Sequence, residues 1–446
     1  MGYMRELEHL QGGPLQLTDY ETGRLRQILD THDEGDALIA LSRFGSGYVR
    51  EIAVGALAEH ASVESLAALV ERLNDWVPQV RQRAITSIRK FLVQEHAGLL
   101  LQALASLMAL ADKGRVDHGA TLSEIRAVLK APQARMAVEA TFMGCRGRAA
   151  RFLFELMLEG ATDSAALLEV ALTHGEMTVR QIAVDACAVL PAAQALPLLE
   201  SAMKTPGASV RVKALRGLLT FSADPRAHLR AAMLDASAAM RSLALWPAPQ
   251  WALDCREVLL KRLAEAAPHS KREWLGLVGL ARELEEPQAE SMLVLALATT
   301  FPGVRLQALE ALGERGLAHQ INALNDPHDK LFKCAAALLD KRPWQDFDEA
   351  LEFHLNTLWH ELSDHRRNTL LRLKPCWRQL EYLLRRHEQA PADSAYWLER
   401  IGRWCAAQYT LVDPQTPKVV RQALLQRLHA LESTGELPAG TMSRLN

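Results

Sequence analysis

The sequence predicts an all-α chain, an α-solenoid of about ten helix pairs closed by a tryptophan-rich helical C-terminal cap. The first observation is a phrase said twice. Val179-Arg180-Gln181-Ile182-Ala183-Val184-Asp185-Ala186-Cys187 returns 31 positions later as Val210-Arg211-Val212-Lys213-Ala214-Leu215-Arg216-Gly217-Leu218. Each copy follows an apolar helical run and a polar turn, Thr173 to Thr178 and Lys204 to Ser209. The second observation is composition: Ala, Leu, Arg and Glu dominate, and the alternating Val/Thr stretches of strands are almost absent. The third is the length of the unit. A recurrence of about 30 residues holding two helices cannot bury both apolar faces alone and must be stacked on copies of itself.

The valine of the phrase opens the second helix of each pair. Residues four and eight further on, Ala183 and Cys187 or Ala214 and Leu218, return to the same face. A small residue in mid-stripe lets the neighbouring helix approach, so that layers stack at roughly 10 Å.

Taken in order, residues 1–35 read as a lead and capping helix. Met1 to Pro14 carries a Gly12-Gly13-Pro14 break and is expected to be mobile. Thr18 or Asp19 then caps a helix to about Asp30, with Glu21 placed for a capping box. Residues 36–342 form the repeat array. Val49-Arg50 and Val80-Arg81 mark the first two units, again 31 apart. From Leu99 to Leu158 the phase blurs, with a polar insertion at Lys113 to Gly119, an interruption at Cys145-Arg146-Gly147-Arg148, and degenerate second helices after Val116 and Ala150. After the copies at 179 and 210, the signature recurs at Met240-Arg241, weakly at Lys271, strongly at Val304-Arg305, and at Leu331.

Residues 343–446 lose the Val-Arg phase and hold five of the nine tryptophans. Five helices are expected there, and the reading is a cap over the solenoid end, with a tail from Ser433 that frays.

The Val-Arg phrase and its spacing resemble the HEAT repeat, closest to the short HEAT-like repeats of the phycobilin lyase type. That resemblance spans about 290 residues and is a packing signal, so it carries no catalytic residue across. In such repeats the arginine after the valine, here Arg50, Arg81, Arg180, Arg211, Arg241 and Arg305, commonly pairs with the turn and with the neighbouring layer. The second helices normally line the concave face, which makes Arg83, Arg89, Lys90, Lys213 and Arg216 candidate partner-binding residues.

The most polarised stretch is His365 to Arg386, with seven cations against Glu381 alone. Arg366, Arg367, Arg372, Arg378, Tyr382 and Arg385 are further candidates, the last three sharing a face opposite Trp377, Leu380 and Leu384. A solvated face is the bland alternative. His354, His360, Glu361, Asp364 and His365 crowd together, but two histidines five apart do not make the zinc-binding helix, so no metal is expected. Phosphate-binding glycine loops, GxSxG elbows and Cys/His pairs are missing, and no cofactor is expected.

The formal net charge of −2 supplies no field for nucleic acid. Six dispersed cysteines without a CxxC, a charged Met1 to Leu10 and the lack of any long apolar run point to the cytoplasm, with no membrane span. The expectation is a non-enzymatic scaffold or adaptor that holds a protein on its concave face or basic C-terminal region. Bacterial proteins that resemble this one are often adaptors or regulators, and some look like immunity proteins that neutralise a toxin, which is what the resemblance implies. The alternative is a nucleic-acid-binding HEAT-like protein such as a DNA base-excision enzyme. That enzyme would need a flipped-base site, for which Trp246, Trp251, Asp254 and Trp274 are the residues to consider.

Overall fold

In the computed structural model, which describes Leu7, residues 17–407 and residues 415–445, the chain is all-α. No strand occurs among these residues. The chain divides into two compact units, Met1–His228 and Leu229–Asn446.

The first unit opens with α1 (Asp19–Thr31), and the expected capping box is present: Thr18 accepts from the Glu21 N–H while the Glu21 carboxylate accepts from the Thr18 N–H. The expected mobile lead, Met1 to Pro14, falls outside the described residues except for Leu7, whose side chain is buried. The pairs follow as α2 (Glu34–Leu41) and α3 (Gly47–Leu57), then α4 (Val63–Arg72) and α5 (Pro78–Ile88). In the blurred stretch the first helix is broken into α6 (Ala97–Gln102) and α7 (Leu104–Met108), which meet at Ala103. Its partner is α8 (Gly119–Lys130), the degenerate copy after Val116. The array continues with α9 (Arg135–Gly144) and α10 (Gly147–Glu159), α11 (Ser164–Thr173) and α12 (Met177–Ala186), and α13 (Ala192–Ala202) and α14 (Ala208–Phe221).

Local chemistry sets these boundaries. Asp33, Ser62 and Asp163 accept from backbone N–H groups at helix starts, and Pro78 occupies a first turn where its missing N–H costs nothing. The interruption at Cys145-Arg146-Gly147 is a turn with Gly147 at φ 61°, a conformation open to glycine. The Gly147 N–H is held by Glu176 Oε2 at 2.9 Å, a bond that pulls the Glu176 carboxyl below its ordinary range. The stripe positions read from the repeat, among them Val49, Ala53, Val80, Ala84, Val179, Ala183, Val210, Ala214 and Leu218, are all fully buried. Burying each Val or Leu contributes about 1.5–3 kcal/mol.

The second unit begins with α15 (Arg226–Met233), which starts at the edge of the first. Its later pairs are α16 (Ala238–Leu245) after α15, α17 (Cys255–Leu263) and α18 (Lys271–Glu283), α19 (Glu290–Leu297) and α20 (Pro302–Leu312), and α21 (Leu317–Ala323) and α22 (Asp329–Leu339). Through residue 342 the described residues thus hold ten pairs across the two units. The weak copy at Lys271 is out of phase, since Lys271 is exposed and the buried face of α18 runs through Trp274, Leu277, Val278 and Ala281, with Gly276 and Gly279 at close approaches. A Cβ at Gly276 would lie 1.9 Å from the Leu234 carbonyl oxygen, and one at Gly279 would lie 2.3 Å from the Arg241 guanidinium carbon. Backbone and guanidinium come closer here than any side chain allows.

The last helices are α23 (Asp348–Thr357), α24 (Asp364–Arg372), α25 (Cys376–Gln389), α26 (Ser394–Ala406) and α27 (Lys418–Ser433). They share a core of Trp359, Trp377, Tyr382, Trp397 and Trp404 with Phe332 and Leu339 of α22. The tail after Ser433 does not fray as expected. Gly435 (φ 80°) and Gly440 (φ 85°) turn it back, the Leu437 N–H donates to the Leu431 carbonyl, and Leu437 and Met442 are buried.

Candidate functional site

The six arginines of the repeat phrase share one bond. In each, Nη1 donates to the backbone carbonyl six residues earlier: Arg50 to Phe44, Arg81 to Asp75, Arg180 to His174, Arg211 to Thr205, Arg241 to Asp235 and Arg305 to Thr299. In Arg50, Arg241 and Arg305 the remaining donors reach an acid further along the chain. Arg50 grips Asp75 at 3.0 Å through two nitrogens, Arg305 grips Asp326 in the same manner, and Arg241 holds Glu283. Arg50 is 3% exposed, and Asp75 also accepts from Arg72 and the Val77 N–H. Burial acts to raise the Asp75 carboxyl, but the Arg50 bonds, the Val77 N–H and the charges of Arg50 and Arg72 outweigh it and hold it below its ordinary range. At the matching place of the copy at 179, His174 does the work of Asp75: Nδ1 accepts from the Glu176 N–H at 3.0 Å. These arginines are fasteners of the fold.

On the second helices of the first unit, Arg89 faces Glu124, Lys90 pairs with Glu59, and Lys213 pairs with Asp185. Arg83 and Arg216 are exposed cations without an ion pair among the described residues, and Arg83 lies over Gly55. Acids therefore interleave with the cations along this row.

Five of the seven cations of the polarised stretch in the second unit are ion-paired. Arg366 binds Asp329 and the carbonyls of Asp326 and Pro327, and Arg367 binds Asp364 and the carbonyls of Trp359 and His360. Arg378 binds Glu381 at 2.6 Å, and Arg385 binds Glu352. Lys374, 4% exposed, sits between Asp348 and Glu352. Burial acts to raise Glu352, yet its bond to Lys374 leaves it lowered. Arg372 alone of these candidates is exposed without an ion pair among the described residues.

Tyr382 needs correction. It was placed on the basic face, but it is 1% exposed, donates to the Leu355 carbonyl at 2.9 Å, and stands among Trp359 and Trp397. Burial pushes its phenol up. The buried face of α25 is wider than the sequence suggested, spanning Trp377, Leu380, Tyr382, Leu383 and Leu384.

The histidine and acid group near His360 does not converge. His354 is buried and lowered by that burial, while Asp364 faces Arg367. Among the described residues no three metal-ligating side chains come together. The flipped-base residues also scatter: Trp274 is buried, Trp246 is exposed, and Asp254 caps α17. The six cysteines are free thiols, Cys187 and Cys405 pushed up to about 11 by burial.

One surface feature of the first unit escaped the sequence reading. First helices of successive pairs pack together at α2 and α4, α4 and α6, α6 and α9, and α11 and α13, but the backbones of α9 and α11 do not pack in this way. Phe142 and His174 join their C-terminal ends, with ring centroids 4.4 Å apart and His174 Nε2 donating to the Phe142 carbonyl. Between the two helices lies a groove of about 580 Å³, floored by Leu156 and Met157 of α10. Val138, Phe142 and Met143 line one wall, and Ala166, Leu167 and Val170 the other. Met143 is 50% exposed, and Met136 on the same helix is 76% exposed. The sequence signal for it was faint: methionines on a helix whose repeat phase had blurred.

No family model matches the chain, and no curated protein matches it. Among solved structures 22 chains match. One of them, from a homology model of the full-length AP-3 complex in an intermediate open conformation, is 12% identical, with 99% of this chain and 93% of that chain covered and a TM-score of 0.24. At that score the likeness supports neither a finer fold nor a function. No helix among the described residues is long and apolar enough to cross a membrane.

Proposed function

We propose that this chain is a non-enzymatic, HEAT-like scaffold or adaptor of the cytoplasm that works by holding a partner protein, as a regulator or a toxin-neutralising protein does. The observation that carries this reading is the groove between α9 and α11, an exposed apolar surface in an array whose charges are otherwise largely matched internally. Exposed apolar surface of this kind marks contact with other macromolecules. The cations that would have gripped an anionic polymer are for the most part engaged: Arg89, Lys90 and Lys213 in the first unit, and Arg366, Arg367, Arg378 and Arg385 in the second. Phosphate binding needs free cations whose counterions can be released; with Arg83, Arg216 and Arg372 the candidates left without an ion pair among the described residues, the protein-binding reading is the better supported of the two.

The test is a pulldown from the protein's own lysate with and without nuclease, read by mass spectrometry. A stoichiometric protein that survives nuclease supports the scaffold. Nucleic acid as the main species, released steeply by salt, overturns it.

A further inference from the structure

We propose that the groove between α9 and α11 receives an amphipathic helix of the partner, one whose apolar stripe is flanked by lysine or arginine. The inference rests on the protein-binding reading above and adds the chemistry of what binds and where.

The shape argument comes first. In the first unit the other neighbouring first helices, α2 to α4, α4 to α6, α6 to α9 and α11 to α13, pack directly, whereas α9 and α11 are tied together at one end by the Phe142–His174 stack with the groove between them. An apolar trough with helical walls is filled most completely by the side chains of a helix laid along it, at residues spaced three and four apart. The apolar part of the lining is aliphatic, aromatic and thioether, Leu129, Val138, Phe142, Met143, Leu156 and Met157, with Lys130, Arg135, Glu139 and Asp163 around it. Methionines at the rim adapt to such a ligand because the side chain is unbranched and polarizable.

Charge decides the flanks. Of the two cations at the mouth, Arg135 is engaged by Glu139 at 2.9 Å, while Lys130 shares Glu159 with Arg126. The α11 wall contains no lysine or arginine; it carries Glu169, and Asp163 stands at its start as the cap of the helix. Around the slot Arg126, Lys130 and Arg135 stand against Glu139, Glu159, Asp163 and Glu169, an excess of one negative charge on the α11 side. A basic flank is attracted and an acidic one repelled.

The experiment uses the full chain labelled with ¹³C in its methionine methyl groups. Met143 and Met157 report the groove, and buried Met233 and Met240 serve as controls. The probes are a synthetic amphipathic peptide with a leucine stripe and lysine flanks, the same peptide with glutamate flanks, one with its leucines scrambled, and dodecanoate. The expected result is a saturable shift of Met143 and Met157 by the lysine peptide alone. The glutamate peptide binds at least about tenfold more weakly, and so does the lysine peptide on Val170→Arg, an exposed position where folding is not at stake.

Three results overturn the proposal: no groove shift with the lysine peptide, equal binding of the two charged peptides, or dodecanoate as the better ligand. The pulldown separates this failure from that of the scaffold reading. A partner retained equally by wild type and Val170→Arg leaves the scaffold standing and removes the groove as its site.

Discussion

Removing the carboxylate of Asp75 tests whether the repeat arginines hold the layers together. Asp75→Ala leaves two nitrogens of Arg50 and one of Arg72 without their acceptor, and frees the Val77 N–H as well. Because Arg50 is nearly inaccessible to water, its charge cannot be rehydrated in place. Breaking a buried pair from one side costs about 3–5 kcal/mol, against about 1 kcal/mol or less for an exposed one. Repeat arrays lose cooperativity along their length, so a global unfolding curve is a poor readout. The suitable assay is native-state hydrogen exchange of peptides covering α3 and α5. At 1.4 kcal/mol per factor of ten, protection there is expected to fall by about two to three powers of ten. The double variant Arg50→Met/Asp75→Leu, with no charge left behind, is expected to retain more protection than Asp75→Ala. A loss of less than tenfold in Asp75→Ala would refute the reasoning.

The same residue gives the pH dependence. The Asp75 carboxyl is lowered in the fold, so its contribution is fully present above the unfolded value near 3.9 and drains away as pH falls through the lowered folded value. Acid exchange of α3 and α5 is then expected to accelerate below about pH 4 in the wild type and to change less in Asp75→Ala. Gly276→Ala places a Cβ on the Leu234 carbonyl and is expected to destabilise the pairing of α18, seen as lower thermal stability, whereas Gly23→Ala on α1, with open space around it, is neutral or mildly stabilising. Tyr382→Phe removes one buried hydrogen bond and is expected to cost about 1–2 kcal/mol in chemical denaturation, leaving partner retention in the pulldown unchanged. Leu437→Ala uncovers the end of the core around α26 and is expected to bring faster proteolysis of the tail.

The stack of pairs was legible because its signal is short-ranged. Val49, Ala53 and Leu57 lie within three helical turns, and the period between copies repeats the evidence. The broken α6 and α7, the insertion at Lys113 to Gly119 and the turn at Cys145 to Arg148 blurred the phase, so that the copies after Val116 and Ala150 read only as degenerate. The binding residues were harder. Seven cations between His365 and Arg386 look like a basic face in a linear window, but the acids that match them, Asp329, Asp348 and Glu352, lie 26–37 residues upstream. Pairing at that distance is set by how one layer rests on the last, which a local charge count cannot see. Helical spacing puts Tyr382 on the face of Arg378 and Arg385, but the buried stripe of α25 is wide enough to take in its ring. The groove is a contact that fails to form, and sequence patterns describe contacts that do.

The repeat arginine has a local end and a distant end. Its Nη1 closes a loop of six residues inside its own pair, while Nε and Nη2, where an acid is supplied, reach toward a later one. A newly duplicated pair therefore arrives with its own turn already shaped and a hand extended to its successor. Lengthening such a protein by duplication asks for no fresh invention at the seam.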